Sequence, residues 1–137
     1  MTRGLRNNNP LNIRRVAGTK WKGQRAEQTD RSFVQFESLE YGIRAAFVLL
    51  RTYRRKYKAV CVEDIINRWA PPSENDTRKY VETVCRLTGF GGKERLEESQ
   101  LPALVYAMAF VECGAPISKE TISKAYSLYV KLKSNSK

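Results

Sequence analysis

The stretch Arg3-Gly4-Leu5-Arg6-Asn7-Asn8-Asn9-Pro10-Leu11-Asn12-Ile13-Arg14 sets the reading of this chain. Four asparagines stand in the six positions from Asn7 to Asn12. Asparagine side chains compete with the backbone for hydrogen bonds and favour turns over helix. Pro10 biases Asn9 toward extended geometry. A fixed loop carrying several amides offers paired donors and acceptors. It can bind a polar ligand such as a sugar, or it can tie down an N-terminal segment.

Outward from that stretch, composition bounds the answer. A length of 137 residues and a hydrophobic fraction of 42% suit one domain with a single core. No apolar run approaches the ~20 residues of a membrane span. Ala103 to Val111 reads instead as a buried helix. The polar N-terminus lacks the apolar stretch of a signal peptide, so synthesis in the cytoplasm is expected. The net charge of +11 predicts attraction to polyanions, whether envelope polymers or nucleic acid. Histidine is absent, which removes Ser-His-Asp and Cys-His catalysis and the usual zinc site. Cys61, Cys85 and Cys113 are widely spaced and read as reduced thiols. Any chemistry falls to carboxylates, amides and tyrosines.

The expected fold class is mainly α, or α+β with one small β-hairpin. Residues 1–18 read as an Asn-rich loop with one short turn. Residues 19–36 carry a hairpin signal, with Trp21 on one flank and Phe33, Val34 and Phe36 on the other. Helices are expected from Leu39 to Tyr57 behind a Ser38 cap, and from Val62 to Ala70 before Pro71-Pro72. A third starts near Asn75-Asp76-Thr77 and ends at Gly89. A fourth, capped by Ser99, ends at Gly114. A fifth spans about Lys119 to Leu132 and frays over residues 133–137.

Three constellations bear on chemistry. Glu27 and Asp30 sit at the tip of the expected hairpin, with Glu37 just beyond. Glycoside cleavage needs a proton donor and often a second carboxylate, ~5–5.5 Å away for retention or ~6.5–9.5 Å for inversion. The same acids also serve as ordinary solvated turn residues. Trp69-Ala70-Pro71-Pro72-Ser73-Glu74-Asn75-Asp76-Thr77 joins an aromatic face, a rigid corner and polar side chains. Such a corner can line a groove, or it can plug the core and cap a helix. The basic helix end from Arg51 to Lys58, with Tyr53 and Tyr57 interleaved, could hold phosphates. No nucleic-acid-reading motif accompanies it.

In order, these pieces resemble small phage and prophage proteins that open Arg-Gly-x-Arg-Asn-Asn-Asn-Pro-x-Asn-Ile. Those proteins are often labelled virion structural or lysozyme-like. Trp21-x-Gly23, Asp30-x-x-Phe33-x-x-Phe36, Tyr41-Gly42-Ile43-Arg44-Ala45, Ile65-Ile66-x-x-Trp69-Ala70-Pro71 and Glu74-Asn75-x-Thr77-x-x-Tyr80 match the same pattern, which covers roughly residues 3–90. More distantly, the layout is similar to glucosaminidases and lytic transglycosylases.

That resemblance implies a single lysozyme-like helical domain over 1–137 acting on peptidoglycan at the MurNAc–GlcNAc linkage. It implies Asn8, Asn9, Asn12, Trp69, Asn75 and Tyr80 as substrate-binding residues. In the superfamily the principal acid is a glutamate that ends a helix before the hairpin. Here residues 1–26 contain no acid. Glu27 is then the first candidate, with Glu37 and Glu74 as alternates. The alternatives are an inactive virion or wall-binding component of the same fold, and a basic nucleic-acid-binding protein. Expected partners are peptidoglycan glycan strands, anionic envelope polymers and, non-specifically, nucleic acid. No cofactor or metal is expected, and the chain is expected to be a monomer. Its expected place of action is the cell wall, the periplasm or a phage virion.

Overall fold

A computed structural model describes the backbone of residues 1–135 and side chains through Lys131. The architecture is mainly helical. Six α-helices follow in order among the described residues: α1 (Arg3–Arg6), α2 (Leu39–Tyr57), α3 (Val62–Trp69), α4 (Thr77–Thr88), α5 (Leu101–Cys113) and α6 (Lys119–Asn135). None is long and apolar enough to cross a membrane. The expected end over 133–137 is helical as far as Asn135; Ser136 and Lys137 lie outside the described residues.

Local chemistry explains most boundaries. Ser38 Oγ accepts from the Tyr41 N–H at 3.3 Å and opens α2, and Lys58 closes it in the left-handed region at φ 56°. Asp76 caps α4 through the Lys79 N–H at 3.2 Å, and Gly89 ends it at φ 80°. The turn before α5 departs from expectation. Its cap is a reciprocal box between Glu97 and Gln100, not Ser99, because a 3₁₀ turn over Glu98–Gln100 precedes α5.

The apolar stripe of α2 packs on α6. Phe47 stacks against Tyr129 with centroids 5.6 Å apart and meets Tyr126 edge-on at 5.1 Å. Leu104, Val105 and Met108 of α5, Ile65 and Ile66 of α3, and Val84 of α4 complete one core. Cys61, Cys85 and Cys113 are free thiols.

The hairpin expected over 19–36 does not form. In its place stand two isolated bridges, Arg14 with Phe33 and Gln24 with Phe36. Side-chain amides have displaced the ladder. Gln28 Nε2 donates to the Arg25 and Gln35 carbonyls at 3.0 and 2.8 Å, and the Gln35 N–H returns to Gln28 Oε1 at 2.9 Å. Such local bonds compete with strand pairing. Asp30 curls the same segment. Its carboxylate accepts from Arg3 Nε and Nη2, both at 2.7 Å, from Asn7 Nδ2, and from the Ser32 and Phe33 N–H groups.

The N-terminal segment begins with the short helix α1 and then wraps under α2. The approach is close: a Cβ on Gly42 would collide with the Asn8 carbonyl. Gly42→Ala is therefore expected to lower stability by about 1–3 kcal/mol, read as a lower urea midpoint. Acid should act through Asp30, whose pKa is held far below the usual carboxylate range, first by Arg3 and then by the backbone and Asn7 donors. A depressed folded pKa gives stability that is present above the unfolded value of about 3.9 and is lost as pH falls below it. Asp30→Asn is expected to flatten that acid limb in melts taken at stepped pH.

Candidate active site

The N-terminal segment, α2, the proline corner and the end of α5 enclose a cleft of about 620 Å³. Asn12, Arg14, Trp21 and Phe33 form one wall. Leu49 and Tyr53 of α2 contribute the floor side, and Trp69, Pro71, Glu74 and Asn75 line the same cleft. Tyr53 and Trp69 meet edge to face at 6.0 Å. The corner is held by its own bonds: Thr77 Oγ1 donates to the Ala70 carbonyl, and Asn75 Nδ2 donates to the Pro71 carbonyl at 3.2 Å.

The cleft also contains Glu112, one residue from the end of α5. Asn12 Nδ2 donates to Glu112 Oε1 at 3.2 Å and to the Glu112 carbonyl at 3.2 Å. Tyr80 Oη donates to Oε2 at 3.0 Å, and Trp69 lines the same cleft. Burial pushes the Glu112 pKa up, and Asn12, Tyr80, Trp69 and the Arg14 charge only partly offset it. Burial likewise holds Tyr80 well above its ordinary range, with the Glu112 carboxyl adding to the effect. The arrangement is a carboxyl that keeps its proton to higher pH, held by two side-chain donors and facing a space large enough for a ligand. Perturbed acids in clefts are the usual stock of proton-transfer sites. Among the described residues no cluster of potential metal ligands exists.

Of the residues singled out from sequence, the cleft unites Asn12, Trp69, Glu74 and Asn75. Tyr80 stands behind Glu112 and is buried. Asn8 and Asn9 lie outside the cleft lining. Asn8 Nδ2 donates to the Phe36 carbonyl at 3.1 Å, and Asn9 Nδ2 donates to Ile13 and Val34 carbonyls at 2.9 and 2.8 Å. Glu27 and Glu37 are exposed and line no part of the cleft. Glu112 was not among the sequence candidates. Its signal was present, since it is the lone charged residue in the thirteen of α5.

Fold and site together define a mainly helical protein with a cleft of mixed polarity that holds one half-buried glutamate. No family model matches the chain. It is 41% identical over 127 residues to Protein P5 of Pseudoalteromonas phage PM2, covering 90% of this chain and 79% of that protein. The chain belongs to the family of phage proteins represented by Protein P5. That name states no activity.

The raised pKa carries a sign that can be checked. A carboxyl whose folded pKa lies above its unfolded value of about 4.3 costs stability once pH exceeds both. Glu112→Gln keeps an acceptor for Asn12 and removes the half-buried charge. The variant is expected to gain stability over the parent as pH rises from about 4 to neutrality, with the difference closing at lower pH. Paired thermal melts across that range read it.

Proposed function

We propose that this protein cleaves the glycan strands of peptidoglycan, with Glu112 as the general acid. The observation that supports this reading most is the half-buried Glu112 carboxyl, bonded by Asn12 and Tyr80 and facing a cleft lined by aromatic rings and amides. Aromatic faces suit sugar rings, and Asn12 and Asn75 suit their hydroxyl and acetamido groups. The resemblance to lysozyme-like enzymes adds to it in kind, because there the principal acid is a glutamate that ends a helix, although that helix precedes the hairpin region whereas α5 follows it. Here α5 ends at Glu112 and Cys113, and Asn12 of the Asn-rich segment bonds the acid directly. Membership in a phage family supplies a biological setting in which a bacterial wall must be crossed.

The proposed step is acid-assisted. The Glu112 proton passes to the glycosidic oxygen as the C1–O bond breaks. Water then adds to the anomeric carbon and gives its proton to the solvent-exposed Glu74, which lines the same cleft. Glu27 and Glu37, away from the cleft, take no part in this scheme. The positive charge of +11 favours retention on an anionic envelope.

Clearing of purified sacculi tests the assignment. Glu112→Gln is expected to lose about 10²–10⁴ in rate, while Glu27→Gln and Glu37→Gln clear like the parent. Activity should fall with rising pH as Glu112 loses its proton. Full clearing by Glu112→Gln removes the acid assignment. Binding of the parent to sacculi with no release of muropeptides turns the protein into a wall-binding component.

A further inference from the structure

Pro71 lines both the cleft and a second hollow of about 570 Å³. Its walls carry Tyr57, Asp64, Asn67 and Arg68. The Arg68 guanidinium lies 3.4 Å from the centre of the Tyr57 ring, so stacking fixes it in place. Tyr57 in turn meets Tyr53 at 6.3 Å, and Tyr53 meets Trp69 at 6.0 Å. The aromatic rings thus run without interruption from the cleft into the hollow.

Charge in the hollow has both signs. The ion pairs among the described residues are Arg3 with Asp30 and Arg78 with Glu82, so Arg68 and Asp64 are not paired with each other or with another side chain. Two opposite charges one helical turn apart on α3 would ordinarily pair. Here stacking holds the guanidinium on the ring, and both charges stay open to the hollow.

We infer that this hollow is a second subsite, in which Arg68 and Asp64 hold a group that bears both a carboxylate and an ammonium. Arg68 takes the carboxylate, Asp64 takes the ammonium, and Asn67 lies between them in sequence with an amide for a peptide bond. The chemical class is a short zwitterionic peptide branch attached to the sugar that occupies the cleft. This inference rests on the glycan reading of that cleft and extends it from the strand to the branch. Such a subsite would select peptide-bearing glycan over bare strands.

The test is retention on purified sacculi in the Glu112→Gln background, where the polymer stays uncut. Three preparations are compared: native, carboxyl-amidated and amine-acetylated. Arg68→Ala is expected to weaken retention about fivefold on native sacculi and not at all on amidated ones. Asp64→Asn is expected to weaken it on native sacculi and not on acetylated ones. Arg86→Ala, an exposed charge outside both hollows, should change nothing. Equal loss with Arg86→Ala reduces the effect to bulk charge and overturns the subsite, as does retention indifferent to Arg68 and Asp64. If the parent releases no muropeptides yet shows the Arg68 and Asp64 pattern, the cleavage reading fails and the subsite stands. Absence of any retention overturns both.

Discussion

The structure depends on one buried amide. Asn9 is fully buried, and its side chain meets three backbone groups: Nδ2 donates to the Ile13 and Val34 carbonyls, and Oδ1 accepts from the Ile13 N–H at 2.9 Å. The Ile13 carbonyl also accepts from the Val34 N–H at 3.0 Å beside the Arg14–Phe33 bridge, whereas the Ile13 N–H and the Val34 carbonyl depend on the amide. Left open, each would cost about 1–3 kcal/mol. The amide lets an irregular segment enter the core as if it were a strand. Leu11 and Ile13, on either side of Asn12, are then buried, and Asn12 is turned outward at φ 53° to face Glu112. Rigidity at Asn9 becomes position at Asn12.

Glu112 is placed against its own electrostatic interest. A carboxylate at the C-terminal end of a helix faces the negative end of the backbone dipole. Its helix is otherwise apolar, and burial adds a second penalty. Asn12 and Tyr80 relieve part of this without supplying a cation, which favours a protonated or strongly bonded carboxyl over a free one. Asp30 shows the contrast within the same chain. It too is deeply hydrogen-bonded, yet the Arg3 guanidinium commits it to the ionised state. One carboxyl titrates below its ordinary range and the other above it, and the difference is the presence of a paired guanidinium beside Asp30 against burial at Glu112.

Helices were legible because each announces itself locally. Ser38, Asp76, Gly89, Gly114 and Pro71 mark ends by chemistry confined to a few residues. The stretch over 19–36 was misread because alternation of aromatics suggests strands, while the deciding bonds come from Gln28 and Gln35 side chains whose pairing no periodicity shows. The site was half legible. The Asn-rich stretch and the proline corner drew notice through composition, and they do share a cleft. Within the first of them, composition could not separate Asn9, which serves the core, from Asn12, which faces the cleft. Glu112 was hidden for another reason. It lies a hundred residues from Asn12, and only the packing of α5 against α1 brings the two together.

The Asn-rich segment has its own requirement. A Cβ on Gly4 would stand 3.0 Å from the Asn9 carbonyl and 3.1 Å from Asn12 Oδ1, with Cys113 Cβ at 3.6 Å. The absent side chain is what lets the Asn9 carbonyl and the Asn12 side chain fold back against α1, while the contact with the end of α5 is of ordinary length. Gly42 does the same on the opposite side, where α2 rests on the Asn8 carbonyl. Two glycines thus clamp one run of asparagines between helices that are distant in sequence. Regular elements in this protein provide the walls, but the alignment of the cleft comes from where side chains are missing and where amides replace a ladder. A helical scaffold can hold a polar loop to hydrogen-bond tolerance only when both conditions are met at once, because either alone leaves the loop free to shift or its buried backbone unpaired.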